Sequence, residues 1–399
     1  MANKELLLGD EALAQGALDA GLSGVYAYPG TPSTEITEYI QGHPLTAERG
    51  IHSAWSTNEK TAVEAALGMS FAGKRSMVCM KHVGLNVAAD AFVNSAMTGA
   101  NGGMIVVAAD DPSMHSSQNE QDSRFYGKFA LVPVFEPSSQ QEAYDMAADA
   151  FDLSERYRIP VLMRLTTRMA HSRAVVTLGE RRAQNERRSP ENKRQWVLMP
   201  ASSRARYDVL VEDHKRFEAE AETSRYNGYT DGPDRTTGII ACGIAYNYLM
   251  ENYPDGCPHP VLKISQYPLP KALVRRLAAE CGPPPVTEEG QPVVEEMVRG
   301  VLPTPVAVKG RLTGELPRTG ELTPDSVREA LGLPRHEAHA ASEVTVPRPP
   351  ALCQGCGHRD MYTVLTEVVR EYPDAKVFGD IGCYTLGWLA PFHALDTVL

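Results

Sequence analysis

The sequence predicts an α/β protein built on parallel sheets, and three observations predict it. Short apolar runs of strand length alternate with longer runs of helical periodicity. The strand candidates are apolar throughout and do not alternate, as in a sheet covered on both faces. The alternation stops after residue 175 and resumes near residue 236, which separates one sheet from another. A length of 399 residues exceeds what one core ordinarily supports, so two or three domains are expected.

In chain order, "GVYAYPG" (24–30) reads as a strand entering a turn, and "RSMVCM" (75–80), "GGMIVVAAD" (102–110) and "RIPVLMRLT" (158–166) as the next strands. Between them "STEITEYIQ", "TAVEAALGMSFAG", "NVAADAFVNSAMTG" and "QEAYDMAADAFDLSERY" read as helices. These place a first domain at 1–175 and a polar, charged linker with one or two helices at 176–235. A small α/β domain at 236–310 begins with the strand "TGIIACG". A connector at 311–349 follows, ending in proline-fixed extended chain, and a third domain starts at 350. The helix "HRDMYTVLTEVVREY", the strand "AKVFGDIG" and the tail "WLAPFHALDTVL" do not close a core. The third domain is therefore expected to continue in a longer protein or to be completed by another polypeptide.

Composition excludes several functions. Hydrophobic residues at 43% and charged residues at 22% are ordinary for a globular chain, and no run approaches the roughly 18 apolar residues of a membrane span. The amino terminus carries acidic residues within its apolar stretch, unlike a secretory signal, so a cytoplasmic protein away from membranes is expected. A net charge of -11 leaves no basic footprint for nucleic acid, and "ERRAQNERRSPENKR" (180–194) reads as a solvated linker. Seven cysteines in a chain this long do not make a disulfide framework; Cys79, in "SMVCM", reads as a small buried hydrophobe.

Three motifs bear on chemistry. No G-x-G-x-x-G and no P-loop is present. Cys353 and Cys356 form a CxxC ahead of a helix, with His358 and Cys383 downstream, compatible with zinc, an iron–sulfur cluster or a dithiol. "GDIGCYTLG" (379–387) follows a strand, so its glycines suit either backbone approach to a diphosphate or a tight turn. Ser56 and Glu59 form S-x-x-E before an apolar helix, which on its own reads as a capping box; the functional alternative is a carboxyl at a helix start that moves a proton on a cofactor nitrogen.

Taken together, "YPGTPSTEI" (28–36), "STNEKTAVEAALGMSFAG" (56–73), "DDPSMHSSQNEQDSR" (110–124), "CQGCGHRD" (353–360) and "GDIGCYTLG" (379–387) resemble the indolepyruvate ferredoxin oxidoreductase α-subunit family. That family lies within the thiamine-diphosphate-dependent 2-oxoacid:ferredoxin oxidoreductase superfamily. The resemblance implies a thiamine-diphosphate-binding fold: a pyrimidine-binding domain at 1–175, a transketolase C-terminal-like domain at 236–310 and the start of a diphosphate-binding domain from 350. It makes Glu59 the carboxyl on the pyrimidine N1′, which favours the imino tautomer that takes the thiazolium C2 proton. Tyr28, Pro29, Thr31 and Pro32 become the turn beside cofactor and substrate; His115, Ser116, Ser117, Gln118 and Asn119 become a loop lining the substrate. Gly355, Cys356, Gly357, His358, Gly379, Asp380, Gly382 and Cys383 fall around the diphosphate end of the cofactor.

Cys353, Cys356 and Cys383 also fall where relatives with a proximal [4Fe–4S] cluster place three ligands, with the fourth not visible. The family's magnesium ligands and its cysteine-rich ferredoxin domain are expected beyond residue 399, so Asp380 is not the metal ligand. Gly357 replaces a proline common in relatives. The implied activity is oxidative decarboxylation of an arylpyruvate such as indolepyruvate to an aryl-acetyl-CoA and CO2. The implied partners are a β subunit, in an assembly of two α and two β chains, with ferredoxin and coenzyme A. The alternatives are a non-oxidative arylpyruvate decarboxylase and an inert, partner-binding fragment.

Overall fold

The computed structural model describes residues 3–302, 307–337, 340, 342–346, 349–379 and 382–398, in two compact units, Met1–Arg335 and His336–Leu399. In the first unit β1 (Lys4–Leu8) leads into α1 (Gly9–Asp19), and β2 (Gly24–Ala27) into α2 (Thr34–Gly42), α3 (Pro44–Arg49) and β3 (His52–Trp55). Next come α4 (Glu59–Phe71), β4 (Ser76–Lys81), α5 (His82–Thr98), β5 (Met104–Asp110), α6 (Arg124–Ala130) and β6 (Val134–Phe135). The long α7 (Gln140–Tyr157), β7 (Val161–Thr166), α8 (Thr167–His171) and β8 (Arg173–Thr177) follow. After α9 (Pro200–Glu222) come β9 (Gly228–Thr230), β10 (Ile239–Cys242), α10 (Ala245–Met250), β11 (Val261–Ile264) and β12 (Gln266–Tyr267). The unit ends with α11 (Lys271–Glu280), β13 (Val286–Thr287), α12 (Val293–Val301) and α13 (Pro324–Ala330).

The main sheet has the order β12-β6-β7-β5-β4-β2-β3 and is parallel except for β12. Its strands are buried on both faces, as their unbroken apolarity predicts. In β4 and β5, Met77, Cys79, Ile105 and Val107 enter the core beneath α1, α2 and α7. The residues between them, Val78, Met80 and Val106, enter the core beneath α4, α5 and α9. Cys79 is fully buried, and burial pushes its thiol pKa up, as expected of a packing residue. A second sheet, β13-β10-β11-β9, carries the restarted alternation.

The linker holds the helix expected of it, and the connector holds more structure than its composition suggests. The linker contains α9, which buries Leu210, Phe217 and Ala221, with Phe217 edge-on to Tyr157 at 5.1 Å. The connector contains α13 and buries Arg311, Leu316, Leu322 and Val327, so the chain to residue 335 belongs to the first unit. Its prolines fix local backbone while scattered leucines find the core, a pattern with no regular period to read.

The two sheets meet around a cage of buried charge. Arg164, in the middle of β7 and fully buried, donates to Asp110 at 2.5 Å, to Glu136, and to the Glu289 carbonyl at 2.9 Å. Arg124 bonds Asp122 at 2.5 Å and Glu288 at 2.9 Å; Tyr267 donates to Glu136 at 2.7 Å; Arg311 reaches Glu289 at 3.3 Å. Three guanidinium groups thus face five carboxyl groups, and the acids divide accordingly. Burial alone would raise Asp122, but Arg124 and Arg164 overcome it and hold its pKa down to about 2. Burial prevails at Glu288, pushed up to about 6, and at Glu289, pushed up to about 7.

The second unit consists of α14 (Gly357–Val369), the parallel pair β14 (Phe378–Gly379) and β15 (Thr397–Val398), and a 3₁₀ turn over Cys383–Trp388. Leu352, Tyr362, Ala394 and Leu395 make its small core, while Met361, Val364 and Val368 stand exposed along one face of α14. Gly387 is required here, because a Cβ would sit 2.4 Å from the Tyr362 ring.

Arg164→Ala should destabilise the first unit by about 3–5 kcal/mol in urea unfolding, since it strands Asp110 and Glu136 without a counter-charge. A carboxyl with a raised folded pKa favours folding most below its unfolded pKa and loses that contribution as pH rises through the folded value. Stability of the wild type should therefore fall between roughly pH 4.3 and 7 through Glu289. Glu289→Gln, which mimics the neutral acid, should flatten that slope in unfolding curves taken across the interval.

Candidate functional site at the carboxyl ends of the parallel strands

From β2 the chain crosses to β3 on one side and then to β4 on the other, so adjacent strands send their connections to opposite faces. Such a switch opens a crevice at the carboxyl ends of the strands, where α/β sheets take ligands. The turn after β2, Tyr28–Ser33, lies on one side, with a cis bond between Thr31 and Pro32. The Ser33 hydroxyl and amide both donate to the Gly30 carbonyl at 2.8 Å, which closes the turn. Tyr28 is half-buried, Pro29 and Thr31 are exposed, and Pro32 is buried.

On the other side β4 passes directly into α5 through Lys81 and His82. The Lys81 ammonium donates to the Ser116 carbonyl at 2.9 Å, and burial lowers its pKa against the opposing pull of Asp111. His82, buried, donates through Nε2 to the Asn119 carbonyl at 3.0 Å.

The loop after β5 joins these sides. Asp111 accepts from the Ser117 hydroxyl at 2.7 Å, the Ser116 amide at 2.8 Å and the Thr167 hydroxyl at 2.7 Å. Burial would raise Asp111, yet the bonds from Thr167, Ser116 and Ser117 lower its pKa below the ordinary value. The Ser116 hydroxyl in turn donates to the Thr31 carbonyl at 3.2 Å. Thr31, Ser116 and Asn119 are thereby gathered at one place, Asn119 through its backbone. His115 and Gln118 are exposed; His115 Nε2 lies 3.4 Å from Glu321.

Glu59 sits beside this group at the start of α4, 8% exposed. The capping box expected from Ser56 is not the cap. Asn58 is the N-cap, accepting the Thr61 amide at 2.9 Å, and Glu59 is the first helical residue, two positions short of where a capping-box glutamate stands. Asn58 takes the cap because its short amide reaches the free amides of the first turn. The Glu59 carboxylate instead lies over the first turn of α5, where a Cβ on Gly84 would meet Oε1 at 2.5 Å. Gly84 thus leaves room for the Glu59 carboxyl that a larger residue would displace.

In the second unit Gly355 and Gly382 adopt positive φ of 73° and 129°, backbone that favours glycine. Cys356 is the N-cap of α14, its sulfur 3.3 Å from His358 Nδ1, and the His358 ring meets Tyr384 edge-on at 4.7 Å. Cys353 and Cys383 are exposed; Gly357 opens α14, and Gly379 ends β14 against Leu395. Asp380 lies outside the described residues. Among the described residues the cysteines do not converge as ligands of a single ion; the grouping that does is Asp10, Glu35 and His171, within 4.8 Å.

A family model described as pyruvate flavodoxin/ferredoxin oxidoreductase, thiamine diphosphate-binding, matches residues 15–227, more than half of the chain. The chain belongs to that family. Curated relatives of this oxidoreductase-family chain include the indolepyruvate oxidoreductase subunit IorA of Methanothermobacter marburgensis, 42% identical over 98% of the chain and 66% of the relative. That of Archaeoglobus fulgidus is 41% identical over 99% of the chain and 66% of the relative. The chain thus spans about two thirds of the length of these relatives. A solved structure of 2-oxoglutarate:ferredoxin oxidoreductase from Magnetococcus marinus, with 2-oxoglutarate, coenzyme A and succinyl-CoA bound, shares the fold. It superposes with a TM-score of 0.64 at 17% identity, covering 83% of this chain and 65% of that one.

Lys81, His82, Gly84 and Asp111 were not singled out in the sequence. Their signal is the abrupt change from the apolar "SMVCM" to "KH" at a strand end, and a doubled aspartate at another. Asp111→Asn should free the loop, because each charge-assisted bond contributes about 1.5–3 kcal/mol. Amide hydrogen exchange over residues 112–120 should speed by about tenfold or more, with β5 itself unaffected.

Proposed function

We propose that this chain is the thiamine-diphosphate-dependent subunit of an oxidoreductase that oxidatively decarboxylates arylpyruvates, indolepyruvate among them. The products are an aryl-acetyl-CoA and CO2, with electrons passed to ferredoxin. The single observation that carries the reading is the buried Glu59 carboxyl over Gly84 at the switch point, in a chain whose family model is thiamine diphosphate-binding. The names of the relatives support the arylpyruvate class.

When bound, thiamine diphosphate supplies the carbon nucleophile and the electron sink that decarboxylation of a 2-oxo acid needs. Glu59 holds the proton at the pyrimidine N1′, and its burial keeps water from competing for that bond. The Tyr28–Pro32 turn shapes the side of the crevice nearer the substrate, and the exposed Thr31 hydroxyl offers it a hydrogen bond. Lys81 and Asp111 act through Ser116, holding its loop against that turn. His115, Gln118 and Asn119 border the same opening. Gly355, Gly357, Gly379, Asp380 and Gly382, with Cys356 and His358, form the diphosphate end. Mg2+ on the diphosphate and [4Fe–4S] clusters complete the cofactor set; Cys353, Cys356 and Cys383, which do not converge among the described residues, would need a rearrangement to hold one of them. A β subunit, in an assembly of two α and two β chains, and a cytoplasmic location complete the proposal.

The test uses the complete protein with its β subunit. Indolepyruvate should reduce ferredoxin or a viologen dye only with thiamine diphosphate and coenzyme A present. Glu59→Gln should lower kcat by about 10²- to 10⁴-fold. Unchanged turnover in Glu59→Gln would remove the role assigned to that carboxyl, and aldehyde formed without any acceptor would replace the oxidative reaction with simple decarboxylation.

A further inference from the structure

Elsewhere in the first unit, three helix ends converge. Asp10 lies in the first turn of α1, Glu35 in the first turn of α2, and His171 is the last residue of α8. One ligand atom from each lies within 4.8 Å of the others, and His171 Nε2 is 3.6 Å from Glu35 Oε1. Ligands around one ion with bonds of about 2.1 Å stand roughly 3–4 Å apart, so small side-chain adjustments close this set on a common centre.

A second, separate observation concerns Asp10 itself. Its side chain is fully buried, and among the described residues neither carboxylate oxygen has a hydrogen-bond partner. Glu35 Oε2 is likewise buried without one. Buried carboxylates are ordinarily paired, hydrogen-bonded or bound to metal. Among the described residues no arginine or lysine fills this role at Asp10: burial, and then the acidic neighbours Glu35 and Glu11, raise its pKa well above the ordinary value. Arg173 lies 3.7 Å from Glu11 instead. A dication would neutralise the two carboxylates and supply the missing partner of Asp10 in one step.

We propose that Asp10, Glu35 and His171 form a binding site for one divalent first-row transition ion, of the Mn2+, Fe2+, Co2+ and Zn2+ class. The donor set selects that class, since imidazole beside carboxylate suits these ions better than Mg2+ or Ca2+. The ion ties the starts of α1 and α2 to the end of α8 and stiffens α2, whose approach is the Tyr28–Ser33 turn. The site does not depend on the function proposed above.

The probe is Mn2+ added to the chelator-treated full chain, because thiols hold Mn2+ weakly and the cysteines then do not compete. Binding is read by electron paramagnetic resonance and thermal unfolding. Wild type should take up one equivalent and gain thermal stability. His171→Gln, at a partly exposed position where folding is not at risk, should weaken binding by at least about tenfold. Asp10→Asn should abolish it, and should unfold at the same or a higher temperature than ion-free wild type. Failure of wild type to bind at tenfold excess, or equal uptake by both variants, overturns the site. Asp10 then carries a proton shared with Glu35, or a buried water.

Discussion

Arg164 is the residue on which the two halves of the first unit depend. A guanidinium with no exposed atom, in the centre of a parallel sheet, survives only where every face of it meets an acceptor. Asp110 and Glu136 meet it from its own sheet; Asp122 and the Glu289 backbone meet it from the loop before α6 and the turn after β13. The second sheet is therefore docked by charge against the carboxyl end of the first, at a position fixed to within a hydrogen bond. Apolar contact alone would tolerate sliding; a forked donor between several carboxylates does not.

This docking bears on the site. Asp110 ends β5, and Asp111, the next residue, organises the loop that reaches Thr31 and is itself reached by Lys81. One strand end thus serves two purposes, the first aspartate turned into the charged cage and the second toward the crevice. Rigidity in the cage passes through a single peptide bond to the loop. Glu59 reaches the same neighbourhood by another route, from the start of α4 over the first turn of α5. Groups from separate elements meet because successive parallel strands end at one edge.

The strands β2, β4, β5 and β7 were legible because apolar runs of four to seven residues bounded by glycine or charge admit few other readings. The edge strand β3, "HSAW", and the two-residue β6 were not, because pairing and not composition makes them strands. A helix in the linker was expected, but the face that α9 buries and the buried leucines after residue 311 were hidden in polar sequence, because tertiary contact overrides a weak local pattern. Glu59 drew notice through S-x-x-E and took its proposed role from resemblance, while the same motif pointed to the wrong cap; Asn58 intervenes, and spacing does not say which polar residue wins. The cage was invisible, since its acids and arginines come from distant segments and each one alone looks like surface.

The main sheet ends at β6 with a strand of two residues, and β12, from beyond the second sheet's first strands, pairs antiparallel with it. An unpaired border of this kind is where sheets recruit foreign chains. The polypeptide therefore seals its own hem with a thread drawn from its far half. Severing the halves would bare that hem and empty the cage together, so the two lobes stand or fall as one compact body.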